Sequence, residues 1–236
     1  MAHRSIHWFR KGLRLHDNPA LLKAFEHASE VYPIFVLDPW FVSSPSCKVG
    51  INRWRFLLEA LKDLDDKLKA LNLRLFVVRG SPDKELEKLC KKWNISRLTF
   101  EVDTEPYAVK RDEQVEAQMK NLGVEVIKCT SHTLFDTAKV VKTNKGEAPL
   151  SYRGFQTILS KLGAPPKPLD PPTKEDVKDC QTRISDTHDE DYGVPTLNEL
   201  GKDAESCGPL LYPGGETEAL ERMERHLKKT VQIYFS

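Results

Sequence analysis

The chain has 236 residues, enough for one sizeable domain with additional segments. Its 36 Lys and Arg nearly balance 35 Asp and Glu, so a net charge of +1 carries none of the global basic excess that advertises a nucleic-acid binder. Five widely spaced cysteines (Cys47, Cys90, Cys129, Cys180 and Cys207) follow no Cys-x-x-Cys or metal-type spacing, and no run is apolar enough for a membrane span, so free thiols in a reducing compartment, cytosol or nucleus, are expected.

In chain order, Ser5–Phe9 reads as a short strand that runs into a basic loop holding Arg10, Lys11 and Arg14. Asp17-Asn18-Pro19 then supplies an N-cap and a proline for the first helical position. Strands follow at Val31–Leu37, Arg74–Val78, Arg97–Val102 and Val124–Cys129, each short, largely apolar and rich in β-branched or aromatic residues. Between them lie four amphipathic helices. Their apolar stripes are Leu21, Leu22, Phe25 and Ala28; Leu57, Leu61, Leu64 and Leu68; Leu86, Leu89, Cys90 and Trp93, after Ser81 as N-cap and Pro82; and Val115, Met119 and Leu122. All four stripes are read as core against the sheet. The alternation implies right-handed crossovers and a doubly wound, five-stranded parallel α/β fold.

The pattern changes after about Thr130. Ser151–Leu162 reads as a helix that Gly163 ends, and Ala164-Pro-Pro-Lys-Pro-Leu-Asp-Pro-Pro172 excludes helix and central strand alike. From there to Pro213 the composition is that of a long connector, and the acidic stretch around His188 is expected to be solvated. Gly214-Gly215 reads as the turn that starts a last helix, Glu216–Lys229. There is no Gly-x-Gly-x-x-Gly after a strand, no phosphate-binding Gly-Lys-Ser/Thr loop and no Gly-x-Ser-x-Gly, so dinucleotide, nucleoside-triphosphate and acyl-transfer chemistries lack their signatures. His16 and His132 are expected to make loop or cap hydrogen bonds.

Long motifs in a fixed order carry a resemblance. Trp8-Phe9-Arg10-Lys11-Gly12-Leu13-Arg14-Leu15-His16-Asp17-Asn18-Pro19-Ala20-Leu21 is similar to the opening of the photolyase/cryptochrome family. So are Leu37-Asp38-Pro39-Trp40-Phe41, Gly50-Ile51-Asn52-Arg53-Trp54-Arg55-Phe56-Leu57, Phe76-Val77-Val78-Arg79-Gly80, Ser131-His132-Thr133-Leu134 and Pro213-Gly214-Gly215-Glu216-Thr217-Glu218-Ala219-Leu220. The chain most resembles the animal branch of (6-4) photolyases and animal cryptochromes, and Leu98–Tyr107 leans toward the photolyases. The resemblance implies three parts: an antenna-type α/β domain over 1–130, a helix and Pro-rich connector over 131–213, and the first helix of an FAD-binding helical domain over 214–236. It implies a parent that performs blue-light flavin chemistry, either repair of UV-damaged DNA or light signalling with clock-protein partners. Such a parent is a monomer in the nucleus or cytoplasm, with FAD, no metal and no membrane. Thr230–Ser236 departs from the family's continuation. A fragment, a splice product or a wrongly delimited gene would each end this way, so the chain alone is expected to be non-catalytic, possessing neither flavin pocket nor tryptophan relay. Trp8, Trp40, Trp54 and Trp93 are expected to be packing residues. A truncated interaction module and a free-standing nucleotide-binding protein are the competing readings.

Strand carboxyl ends meet at a topological switch point in such sheets. Arg10, then Phe35, Leu37 and Asp38, then Glu101 and Asp103 are expected to converge there, with Arg53 reaching in from the following helix. The resemblance adds a pterin (folate-type) or deazaflavin antenna in some members, with Phe35 and Leu37 as its wall and Arg10, Asp38, Arg53 and Asp103 as orienting groups. An Arg–Asp ion pair bracing an empty cleft is the alternative reading of the same residues.

Overall fold

The computed structural model describes residues 2–39, 49–180, 182–203, 205, 208–209 and 211–235. Cys47, Cys207, Trp40 and Phe41 lie outside them. Five strands, β1 (His3–Phe9), β2 (Ala28–Leu37), β3 (Phe76–Arg79), β4 (Arg97–Glu101) and β5 (Glu125–Cys129), form one sheet in the order β3-β2-β1-β4-β5. Every pairing is parallel, and Ile6 at the centre faces Tyr32 on one side and Leu98 on the other.

Helices α1 (Pro19–Phe25) and α2 (Ile51–Ala70) cover one face, and α3 (Pro82–Trp93) and α4 (Pro106–Asn121) the other. The alternation of side chains along a strand divides the core accordingly. Phe9, Val31, Phe35 and Val77 pack with Leu21, Phe25, Leu58, Leu61, Leu64 and Leu68. Ile6, Trp8, Ile34, Phe76 and Phe100 pack with Leu86, Leu89, Val115 and Met119. Trp8 and Trp54 are buried, and Trp93 stacks on Tyr32 at 4.3 Å with the ring planes nearly parallel.

Two stripes end sooner than their periodicity suggests. Ala28 belongs to β2, because α1 stops at Phe25 and the turn at His27 takes a positive φ of 56°. Leu122 is the residue that caps α4 and is partly exposed.

Among the described residues the remaining helices are α5 (Thr137–Thr143), α6 (Tyr152–Leu162), α7 (His188–Tyr192) and α8 (Glu216–Phe235), with a 3-10 turn at Asn198–Leu200. Ser151 caps α6 through its side chain, which accepts from the Gly154 amide. The connector is largely exposed, as its composition suggests, but it is tied to the sheet at discrete points. The Thr182 hydroxyl bonds both the amide and the carbonyl of Val31, at 3.0 and 2.6 Å. His188, expected in a solvated acidic loop, is buried: its Nε2 lies 3.0 Å from the Leu75 carbonyl and its ring meets Phe76 edge-on. Burial, with smaller charge effects, lowers its pKa. The physical reason is that β2 and β3 leave polar backbone groups at the sheet margin, and the connector supplies their partners.

α8 begins against α2. Glu216 accepts hydrogen bonds from the amides of Leu15 and His16 and an ion pair from Lys67 at 2.9 Å. The Thr217 amide and hydroxyl both donate to Asp63, and the Gly214 amide donates to Glu59. Gly214 must be glycine, since a Cβ there would run into the Phe56 carbonyl. Beyond this anchored first turn, Leu220, Met223 and Leu227 are exposed.

Candidate functional site

The site grows from the end of β1. There the chain leaves the sheet at Phe9 and must reach the α1 N-terminus while holding a basic loop over the crevice. His7 sets the floor. Asn18 caps α1, its Oδ1 accepting from the Leu21 amide at 3.0 Å. That fixes the amide so that its Nδ2 donates to His7 Nε2 (3.3 Å) and the Arg14 carbonyl. His7 then carries its proton on Nδ1 and donates to Thr99 Oγ1 at 2.9 Å. Burial, assisted by the nearby Arg10 charge, lowers the His7 pKa to about 3, so it is a neutral clamp joining β1, β4 and α1.

Above this floor lies a cleft of about 380 Å³ at the carboxyl ends of β1, β2 and β4. Of the residues expected to converge, Arg10, Phe35, Leu37, Asp38, Arg53 and Asp103 line it. Phe35 and Leu37 join Trp54, Leu57 and Val49 in an apolar wall, and Arg53 stands at the exposed end of α2.

Glu101 does not line the cleft. It is buried on the other side of the basic loop, where its carboxylate accepts from Ser131 Oγ and lies 3.5 Å from His132 Nε2 and 4.0 Å from Arg14. Glu101 is the last residue of β4 and its carboxylate turns toward Ser131 and His132, whereas Asp103, already outside the strand, pairs with Lys11 at the cleft. Gly12 allows the loop to close on it, because a Cβ there would overlap the Glu101 carboxylate. His132 thus takes a loop contact, and His16 contributes its amide to Glu216.

The polar groups of the cleft are tightly organised. Arg10 Nη1 donates to both oxygens of Asp112 at 2.7 and 2.6 Å, and its guanidinium lies 5.0 Å from the Trp8 ring centre and 4.9 Å from that of Phe100. Burial lowers its pKa and the Asp112 carboxylate opposes that, so it remains a cation. Its Nε and Nη2 are buried with no hydrogen-bond partner among the described residues. Arg111 adds a second cation over Trp8 at 4.8 Å and also bonds Asp112. Tyr107 donates to Asp38 at 2.7 Å, and burial together with that carboxylate pushes its phenol up to about 12. Burial works against the charge of Asp103, yet the Glu105 amide and Lys11 hold its carboxyl below the usual range.

Tyr107, Arg111, Asp112 and Trp8 escaped the residue-type reading. The signal was present: Tyr107 and Arg111 are spaced i, i+4 in the first turns of the helix after β4, which a doubly wound sheet places at the switch point. Among the described residues, no group of three His, Cys, Asp or Glu side chains is placed to hold a metal ion.

The order β3-β2-β1-β4-β5, with a lined crevice at the strand carboxyl ends, defines a doubly wound α/β domain with a ligand-type cleft. The chain belongs to the DNA photolyase family, whose model matches residues 5–173, and it carries the α/β domain of that family. It is 49% identical over 233 residues to Cryptochrome-1 of Macaca fascicularis, covering 99% of this chain and 39% of that one. With Cryptochrome-2 of Gallus gallus the identity is 46% over 230 residues. The chain therefore spans about two fifths of the length of the curated relatives it matches. Among solved structures, a Synechocystis cryptochrome superposes with a TM-score of 0.76 at 20% identity over 95% of this chain and 47% of that one. A Sulfolobus tokodaii photolyase, described as holding two FAD molecules with the implication of a novel light-harvesting cofactor, superposes at 0.70 and 23% identity over 92% of this chain and 45% of that one. These two likenesses concern the fold.

Proposed function

We propose that this chain serves as the amino-terminal α/β part of a flavin-dependent blue-light protein of the (6-4) photolyase/animal cryptochrome type, and that its cleft receives a planar antenna-type chromophore. The observation that carries the cleft assignment is its lining: an apolar wall of Phe35, Leu37, Trp54 and Leu57 in one crevice with the cations Lys11, Arg53 and Arg111. A ring carbonyl or anionic edge of a ligand would meet these cations, while Phe35, Leu37 and Trp54 cover the ring faces. A cleft of about 380 Å³ suits a ring system of the deazaflavin, pterin or flavin kind rather than a whole dinucleotide. When bound, such a group would absorb light and pass the excitation on; the protein's part is to orient it and exclude water.

In this reading the flavin reaction itself belongs to the part of the relatives' length that this chain does not span. DNA bearing UV photoproducts, or clock proteins, would be the partners of the whole protein, in the nucleus or cytoplasm. The identity of nearly half to Cryptochrome-1 over the whole chain supports the signalling branch as strongly as the repair branch.

The test is absorption spectroscopy of the purified chain, before and after addition of FAD, a deazaflavin and a reduced folate. Retention of one of these through gel filtration is expected, with loss on Arg53→Gln and Trp54→Ala. Absence of any retained chromophore at ligand concentrations of about 0.1 mM would leave the ion-paired, ligand-free cleft as the correct reading.

A further inference from the structure

Outside the cleft, the charge of the chain is distributed unevenly. Between Thr137 and Lys167 stand six cations, Lys139, Lys142, Lys145, Arg153, Lys161 and Lys167, against a single acid, Glu147. That is a five-charge excess in a chain whose net charge is +1. All six are exposed, and none enters an ion pair among the described residues. On α8, by contrast, Arg225 is matched by Glu221 and Lys228 by Glu224.

The same stretch exposes apolar surface. α5 and α6 pack together and bury Val140 and Ile158, but Leu150 is 100% exposed, Tyr152 75% and the adjacent Leu134 68%. Ala138 and Val141 floor a shallow groove along α5, and Lys142 and Lys145 form its rim. The groove thus pairs an apolar floor, Ala138 and Val141, with a cationic rim, Lys142 and Lys145, the combination an interaction face presents.

The chemistry selects the occupant. A second copy set against the same face would oppose like charges, which disfavours a symmetric dimer. A nucleic-acid backbone would neutralise the lysines, but it offers nothing to the aliphatic floor of Ala138 and Val141. An amphipathic helix answers both features at once, with its apolar residues in the groove and its carboxylates on the lysine rim. We propose that the α5–α6 hairpin is a docking surface for an acidic amphipathic helix of a partner protein.

The experiment uses the full chain and a fluorescent probe peptide of about sixteen residues, with Leu at helical i, i+3, i+4, i+7 spacing and Glu at the other positions. Anisotropy titration at low and physiological salt is expected to show binding. It should weaken about tenfold or more for the Lys142→Glu/Lys145→Glu double variant, and similarly for a peptide of equal charge with Ser in place of Leu. The substituted lysines are exposed, and far-UV circular dichroism checks that the variant folds. Three results would overturn the proposal. One is no binding at about 1 mM peptide. Another is equal binding of the Leu and Ser peptides, which would mean charge alone. The third is a single-stranded oligonucleotide of matched charge that binds more tightly than the peptide, which would make this a nucleic-acid face.

Discussion

His7 makes the fold acid-labile in a way that can be isolated. It is 1% exposed, clamped between Thr99 and Asn18, and its pKa is lowered to about 3, whereas in the unfolded chain it titrates near 6.5. The folded state therefore refuses a proton that the unfolded state accepts. Stability from this group is complete above about pH 6.5 and falls by about 1.4 kcal/mol per pH unit until the folded pKa is reached. Between pH 7.5 and pH 5 that is about 2 kcal/mol. A His7→Gln variant keeps a donor and an acceptor but does not titrate. It should be less stable than the natural chain at pH 7.5, and the gap should close by about 2 kcal/mol at pH 5, roughly 1 M in urea midpoint. All other titrating groups, His188 included, are shared and cancel in the difference. Urea unfolding followed by tryptophan fluorescence at both pH values measures it. A gap that stays constant to within about 0.5 kcal/mol would mean that His7 is not held neutral by the fold, and the clamp would be wrong.

Asp112→Ala should destabilise the chain by about 3–5 kcal/mol, because it leaves Arg10 buried with its principal counter-ion gone, and thermal or urea unfolding reads this directly. Asp112→Asn, which retains one acceptor, should cost visibly less; equal costs would argue against the charge pairing. Gly214→Ala should free α8 from α2, since the added Cβ meets backbone, and Thr217 should lose its amide protection as a result. In the natural chain, amide exchange along α8 should be graded, slow near the Glu216–Thr217 anchor and fast beyond Met223, where the apolar side chains face solvent. Uniform protection through Lys229 would show that the distal helix is packed. Thr182→Val should loosen the connector by about 1–2 kcal/mol through the loss of its two bonds to Val31, seen as faster exchange at that amide.

Much of the α/β layer was legible in the sequence because its signals are local. Short apolar strands, leucine stripes at helical spacing, and Asn18-Pro19, Ser81-Pro82 and Ser151 at helix starts depend on neighbours within a few residues. Parallel pairing followed from the alternation of strands and helices, and the switch point followed from that. Hence Arg10, Phe35, Leu37, Asp38, Arg53 and Asp103 could be named together from the sequence.

What tertiary structure alone decided was every relation between residues far apart in the chain. Asp112 is 102 residues from Arg10, and no local pattern pairs them. The direction of one side chain at the end of a strand separates Glu101 from the cleft that Asp103, two residues later, lines. His188 and Thr182 sit in a segment whose composition reads as solvated. They are ordered by backbone groups of β2 and by Leu75, whose need for partners appears only once the sheet exists. Composition reports how readily a segment dissolves, but a long-range hydrogen bond depends on where the rest of the chain has put its donors and acceptors.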